Sequence, residues 1–190
     1  MHKIILASQS PRRKQLMEAA ELEFEIIVAD VDETNPEGMT GMLVPEYLAK
    51  KKASAIEAQV HDAIIIAADT IVLLDNEILG KPTNEENAKE ILRKLSGRRH
   101  EVVTGVCMQK GRKQISFSTT TEVFFRTLTD EQIEHYVSNY QPFDKAGAYA
   151  IQEWIGMIGI EKINGDYYNV MGLPIGDVVK KLLLFELEHR

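Results

Sequence analysis

The chain has 190 residues, 44% of them hydrophobic and 27% charged, with 22 basic against 29 acidic side chains and a formal net charge of −7. That composition excludes a collagen, a coiled coil and a disordered polyelectrolyte, and the acidic balance argues against a sequence-independent duplex binder. At roughly 100–200 residues per domain it is expected to form one domain over residues 1–190. The single cysteine, Cys107, allows no intrachain disulfide, so no oxidising compartment is implied. The longest apolar run, Ala63 to Ala68, is far short of the roughly 20 residues that span a bilayer. The N-terminus carries no secretory cleavage pattern. A cytoplasmic protein is expected, with a homodimer as a default assembly.

In chain order, Lys3 to Ala7 reads as a strand, and Ser10-Pro11 opens a helix with Ser10 as N-cap and Pro11 at the first helical position. Phe24 to Val28 reads as a second strand, followed by an acidic loop from Asp30 to Gly41. Pro45 to Ala58 reads as a helix, with Tyr47, Leu48, Ala55 and Ile56 as its candidate core face. Ala63 to Ala68 and Ile71 to Leu74 read as buried strand, turning at Asp75-Asn76. Thr83 to Glu86 matches a capping box for a helix over Asn84–Leu95, stopped by Gly97. His100 to Gln109 and Gln114 to Phe125 read as a hairpin, and Thr129 to Gln132 as a second capping box for a helix to about Ser138. Gly147 to Gln152 gives no clear period; Ile158 to Ile163 is a strand candidate. Ile175 to Glu188 reads as a closing helix with Val178, Val179, Leu182, Leu183 and Phe185 near one face. Strands mixed with helices, plus one hairpin, predict an α/β class with a mixed sheet.

Three features point to chemistry. The first is Ser8-Gln9-Ser10-Pro11-Arg12-Arg13, where two guanidiniums follow a helix start. Positive side chains there oppose the helix dipole, and they make sense if an anion such as phosphate binds. Two exposed arginines neutralised by carboxylates is the bland alternative. The second is Asp69-Thr70, set inside an apolar stretch from Ala63 to Leu74. An acid in such surroundings must be paired, protonated or metal-bound; the alternative is an outward-pointing acid at a strand turn. The third is Asp30-Val31-Asp32-Glu33-Thr34, whose carboxylates could hold Mg²⁺ or Mn²⁺, or merely be solvated. Gly80-Lys81-Pro82 is not a Walker loop, and the five histidines lack zinc-ligand spacing. Cys107 reads as core. Taken together, the set suits metal-assisted attack on phosphorus.

Seven strings then carry a resemblance. Ile5 to Arg13, Ala68 to Val72, Ile78 to Pro82, Leu95 to Arg98, His100 to Val106, Asp144 to Gln152 and Asn169 to Pro174 resemble, in order, the Maf family of nucleoside triphosphate pyrophosphatases. The resemblance implies a Maf/ITPase-like α/β fold: an elongated mixed sheet with flanking helices and two lobes around a deep cleft. It implies metal-dependent hydrolysis of a nucleoside triphosphate to monophosphate and pyrophosphate. By it, Asp69 is the general base or holds the metal, and Glu33 helps hold that metal. Ser8, Arg12, Arg13, Lys52 and Lys81 match phosphate-binding positions. Arg12, Thr70 and Gln152 resemble the subgroup acting on dTTP and UTP rather than that acting on 7-methyl-GTP. Modified pyrimidine nucleotides are further candidates. Glu153 departs from the family, which commonly has Gly there.

Two other readings compete. Ile26 to Thr34 fits an apolar strand followed by D-x-D-x-T, which looks like a haloacid-dehalogenase-type phosphatase with Asp30 as nucleophile. A nucleotide-binding regulator of division, linked to septum formation, would keep the anion site without using Asp69 for turnover.

Overall fold

The computed structural model describes residues 2–28, 30–34, 38–60 and 62–187. Among these, β1 (Lys3–Leu6), β2 (Glu25–Ile26), β3 (Ala63–Leu74), β4 (Glu77–Leu79), β5 (Arg99–Lys110), β6 (Lys113–Phe125) and β7 (Ile160–Asn164) form one seven-stranded sheet. Its order is β2-β1-β3-β5-β6-β7, with β4 also on β3. β1 runs parallel to β2 and β3, whereas β4 is antiparallel to β3 and β7 to β6. The mixed α/β class expected from the sequence is therefore present.

β3 is a single strand of 12 residues rather than two runs separated at Asp69-Thr70. The pair of polar residues does not break it, because an extended backbone tolerates any side chain that finds a partner. The second expected strand shrinks to Glu25–Ile26. Among the described residues it is an edge strand paired to the end of β1, and Ile26 and Val28 stay exposed.

Two compact units divide the chain: Met1–Asp69, Thr104–Thr119 and Gly172–Arg190 form the first, Thr70–Val103 and Thr120–Met171 the second. In the first, Ile5 and Ala7, then Ile65 and Ala67 of β3, pack with Cys107 of β5 and with Ala49, Ala53 and Ile56 of α2 (Val44–Glu57). The core face of α2 differs from the expected one. Leu48 and Ile56 are buried, but Tyr47 is exposed and Ala55 only partly covered; Ala49, Lys52 and Ala53 take the inward stripe. Small side chains let α2 lie close, and Gly105 of β5 permits this. A Cβ there would fall 2.1 Å from the Glu46 backbone nitrogen. Burial pushes the Cys107 thiol up to about 12, as suits a core residue. α1 (Pro11–Ala19) buries Leu16 and Met17. α7 (Ile175–Leu187) buries Val178, Leu182 and Phe185. Leu183 is 58% exposed rather than inward, since the buried stripe follows i, i+4, i+7 and leaves it to one side.

In the second unit, α3 (Glu85–Leu95) and α4 (Asp130–Tyr140) pack Leu92, Leu95, Ile133 and Val137 against Val72, Val123 and Phe125. α4 opens with the expected capping box of Thr129 and Gln132. α3 does not: its N-cap is Asn84, whose side chain accepts from the Asn87 N–H. Asn87 in turn accepts the Thr83 N–H, so capping moves one residue along from the expected Thr83. The β3–β4 turn at Asp75-Asn76 has positive φ at both residues, as a two-residue hairpin of this twist requires. Two short helices, α5 (Trp154–Gly159) and α6 (Tyr167–Met171), were not expected. Gly156 and Gly159 lower helix propensity in α5, and five or six residues show no period. Among the described residues, no helix is long and apolar enough to cross a membrane.

Candidate functional site

The chain leaves β1 at Leu6 and reaches α1 through Ser8 and Ser10. Ser10 is the N-cap by backbone position, but its side chain makes no capping bond. Instead the Ser10 N–H donates to Ser8 Oγ at 3.2 Å. Pro11 lacks an N–H, and no acid sits in the first turn, so the positive end of α1 is not neutralised from within. Ser8 Oγ also accepts from Arg13 Nη1 at 3.1 Å. With both acceptor positions used, the Ser8 hydroxyl proton is left to donate to an incoming oxygen.

Arg13 turns inward. Its Nε donates to the Gly172 carbonyl at 2.8 Å and its Nη1 to the Ala68 carbonyl at 2.9 Å. Burial lowers its pKa, opposed by the carboxylates of Asp69 and Glu33 and reinforced by Arg12. A guanidinium stays charged through such a shift. Arg13 thus ties Ser8, just past β1, to β3 and the start of the Gly172 segment while adding positive potential. Arg12, partly exposed on the same turn, is the more outward of the two.

Asp69 follows from the period of two in β3. Ile65, Ala67 and Asp69 share one face, and the first two pack with Ala49 and Ala53 of α2. One helical turn on that same face of α2 lies Lys52. Its ammonium meets Asp69 Oδ1 at 2.7 Å and Glu33 Oε1 at 2.9 Å. The Lys52 and Asp69 side chains are 9% and 13% exposed. A buried charge pair of this kind costs desolvation, which its short charged hydrogen bonds offset. The sequence could not say which of three adjacent lysines faces inward. Lys50 pairs with Glu46 on its own helix, and Lys51 donates to the Asp32 carbonyl at 2.6 Å, tethering the acidic loop. Asp32 accepts from the Thr34 N–H and hydroxyl, which lowers its pKa.

The first unit therefore gathers Ser8, Arg12, Arg13, Glu33, Lys52 and Asp69. Thr70, Lys81 and Gln152 belong to the second unit. Thr70 follows Asp69 directly on β3, Lys81 is exposed just past β4, and Gln152 is exposed in a turn before α5. Gly80 accepts the Gly147 N–H at 3.1 Å, so the Lys81 strand end and the Asp144–Gln152 segment are adjacent. Asp30 is an exposed loop residue, and the strand before it ends at Ile26. Among the described residues, no strand runs directly into Asp30 as the haloacid-dehalogenase reading expects.

The donor set suits a hard divalent cation. Asp69 and Glu33 both reach the Lys52 ammonium, and Mg²⁺ is commonly held by one or two carboxylates with phosphate oxygens and water completing its shell. No cluster of three or more His, Cys, Asp or Glu exists among the described residues.

An α/β chain with a mixed sheet, an anion-ready helix start and a lysine-bridged carboxylate pair has the outline of a phosphate-handling enzyme. The chain belongs to the Maf family: the model described as Maf-like protein matches residues 3–185. A dTTP/UTP pyrophosphatase of Cytophaga hutchinsonii is 52% identical over 94% of this chain and 82% of its own length. A dTTP/UTP pyrophosphatase of Phocaeicola vulgatus is 49% identical over 92% of this chain and 91% of its own. That of Bacillus cereus is 48% identical over 99% and 98%. Among solved structures, a HAM1 protein from Coxiella burnetii aligns over 66% of this chain and 73% of its own at TM-score 0.49 and 20% identity, a partial likeness only.

Proposed function

We propose that this protein hydrolyses nucleoside triphosphates, dTTP and UTP first among them and modified pyrimidine nucleotides included, to the monophosphate and pyrophosphate. The relatives named dTTP/UTP pyrophosphatase at 48–52% identity over nearly the whole chain support the reaction. The observation that carries it is the Lys52 ammonium bridging Asp69 and Glu33, in the unit that also holds the Ser8–Arg13 helix start.

In this reading a water oxygen attacks the α-phosphorus, the bond from that phosphorus to the bridging oxygen breaks, and pyrophosphate leaves. Asp69 Oδ accepts the water proton. The Ser8 hydroxyl, Arg12 and the first-turn N–H groups of α1 bind phosphate oxygens, with Lys52 and Lys81 adding charge that strengthens as negative charge builds. Arg13 holds Ser8 and the Ala68-Asp69 peptide in place. A divalent ion such as Mg²⁺ or Mn²⁺, held by Asp69 and Glu33, supplies charge neutralisation and a more acidic water when bound. Arg12, Thr70 and Gln152 select the base and its attachment. The reading includes a cytoplasmic location and a homodimer, the latter checked by light scattering.

A screen of nucleoside triphosphates, with pyrophosphate and orthophosphate detected separately, tests the function. Pyrophosphate plus monophosphate from UTP and dTTP is the expected result. Orthophosphate from a monoester, abolished by Asp30→Asn, would favour the phosphatase reading. Triphosphate binding without turnover would favour a binding regulator.

A further inference from the structure

Gln152 sits in a turn whose supports are not part of the site described above. The Glu153 N–H donates to the Ala150 carbonyl at 3.1 Å, closing a four-residue turn over Ala150 to Glu153 with Gln152 third. The Tyr136 hydroxyl, on fully buried Tyr136 of α4, contacts both ends of that turn. It accepts the Ala150 N–H at 3.2 Å and donates to Glu153 Oε2. Glu153 Oε1 lies 3.5 Å from Lys145 Nζ, and that ammonium, on a side chain 9% exposed, also bonds Asp144 at 2.7 Å. The far side of the turn is equally fixed. A Cβ on Gly156 would fall 1.8 Å from the Ile151 carbonyl oxygen, so that peptide is seated directly on α5. All of these residues lie in the second unit.

A surface glutamine that only needed to be polar would not require a buried phenol, a carboxylate and an ammonium to set its backbone. We infer that Tyr136, Glu153 and Lys145 are positioning residues that fix the Ala150–Glu153 turn so that the Gln152 amide meets the base at one orientation, and thereby set discrimination between pyrimidine and purine triphosphates. The inference rests on the proposed hydrolysis and on base selection by Gln152. Tyr136 ties the two turn ends together through one oxygen, so its loss breaks the bond to the Ala150 N–H and the bond to Glu153 Oε2 at once, leaving Glu153 near Lys145. An amide selects by direction, since its donor and acceptor are separate atoms, and a turn free to rotate loses that direction.

The test compares kcat and KM for UTP and GTP in the full-length protein and in Gln152→Ala, Tyr136→Phe and Glu153→Gln, with inorganic tripolyphosphate as a competitive inhibitor that reads phosphate binding alone. Gln152→Ala is expected to lower the UTP-over-GTP ratio of kcat/KM, chiefly through KM. Tyr136→Phe is expected to lower it by about tenfold, the scale of one lost charged hydrogen bond, with tripolyphosphate inhibition unchanged. Glu153→Gln, which still accepts from the Tyr136 hydroxyl, is expected to retain most of the ratio. Should Tyr136→Phe fail to fold, Glu153→Ala, at a side chain 23% exposed, carries the same expected loss. A wild-type ratio in Tyr136→Phe or Glu153→Ala, beside a reduced one in Gln152→Ala, overturns the inference alone. A fall in tripolyphosphate inhibition parallel to the loss of ratio also overturns it, since that is general damage. If the wild type releases no pyrophosphate, or Gln152→Ala keeps the ratio, the underlying reading fails and takes the inference with it.

Discussion

His100 makes the second unit sensitive to acid, and the size of the effect follows from its surroundings. The ring is 1% exposed at the start of β5. It packs edge-on against Phe125 and Tyr149 at centroid distances of 5.2 and 5.4 Å, with Nε2 2.7 Å from the Tyr149 hydroxyl. Nδ1 is buried without a hydrogen-bond partner. Burial lowers the pKa from 6.5 to about 3, and burial also raises that of Tyr149. Between those two values for His100 the unfolded chain binds a proton that the folded protein refuses. Its contribution to stability is therefore fully present above the unfolded pKa and is lost as the pH falls from 6.5 towards 3. At pH 5, about one and a half units below the unfolded value, the loss is roughly 2 kcal/mol, a large share of a typical stability of about 5–15 kcal/mol. Urea unfolding at pH 7.5 and pH 5.0 measures it. His100→Phe is expected to be less stable than wild type at pH 7.5, because the Tyr149 hydroxyl loses its partner. Its further loss on going to pH 5.0 is expected to be smaller than that of wild type by about 2 kcal/mol. Equal losses in the two proteins would refute the reasoning.

Three other outcomes are expected. Gly156→Ala must displace the Ile151 peptide, and differential scanning calorimetry should find it destabilised by about 1–3 kcal/mol or more; an unchanged Tm would mean the turn is not seated on α5. Arg13 is placed to act partly through Ser8, so the cost of Arg13→Gln in kcat/KM should be smaller in a Ser8→Ala background, by about 1 kcal/mol in a double-mutant cycle. Strict additivity would separate the two residues. Excess EDTA should abolish hydrolysis and Mg²⁺ or Mn²⁺ restore it; full activity in chelator would remove the metal role of Glu33 and Asp69.

How much of this was legible in the sequence depended on whether the signal was local. The α4 capping box, the turn at Asp75-Asn76 and the helix start at Ser10-Pro11 are written in adjacent residues, and all three form. The buried character of Asp69 could be read from its apolar neighbours. Its partner could not. Lys52 stands 17 positions away among three lysines, and only the packing of Ala49 and Ala53 against Ile65 and Ala67 determines which ammonium reaches it. Arg13 looked equivalent to Arg12 in sequence, yet the carbonyls of Ala68 and Gly172 claim it, and neither is visible as an acceptor in a string of letters. In the sequence Tyr136 is one aromatic on an amphipathic helix. Its role in the Ala150–Glu153 turn arises from a contact across 14 and 17 positions. The short α5 escaped because glycines carry no hydrophobic period.

Asp69→Asn, assayed for both turnover and binding, tests the role of that carboxylate most directly. Asparagine keeps the shape beside Lys52 but cannot accept the proton of an attacking water. Hydrolysis of UTP is predicted to fall by about 10²–10⁴-fold, while calorimetric titration with a non-hydrolysable UTP analogue retains a Kd within a few-fold of wild type. Wild-type turnover in Asp69→Asn, or loss of binding equal to the loss of turnover, would contradict the role assigned to that carboxylate.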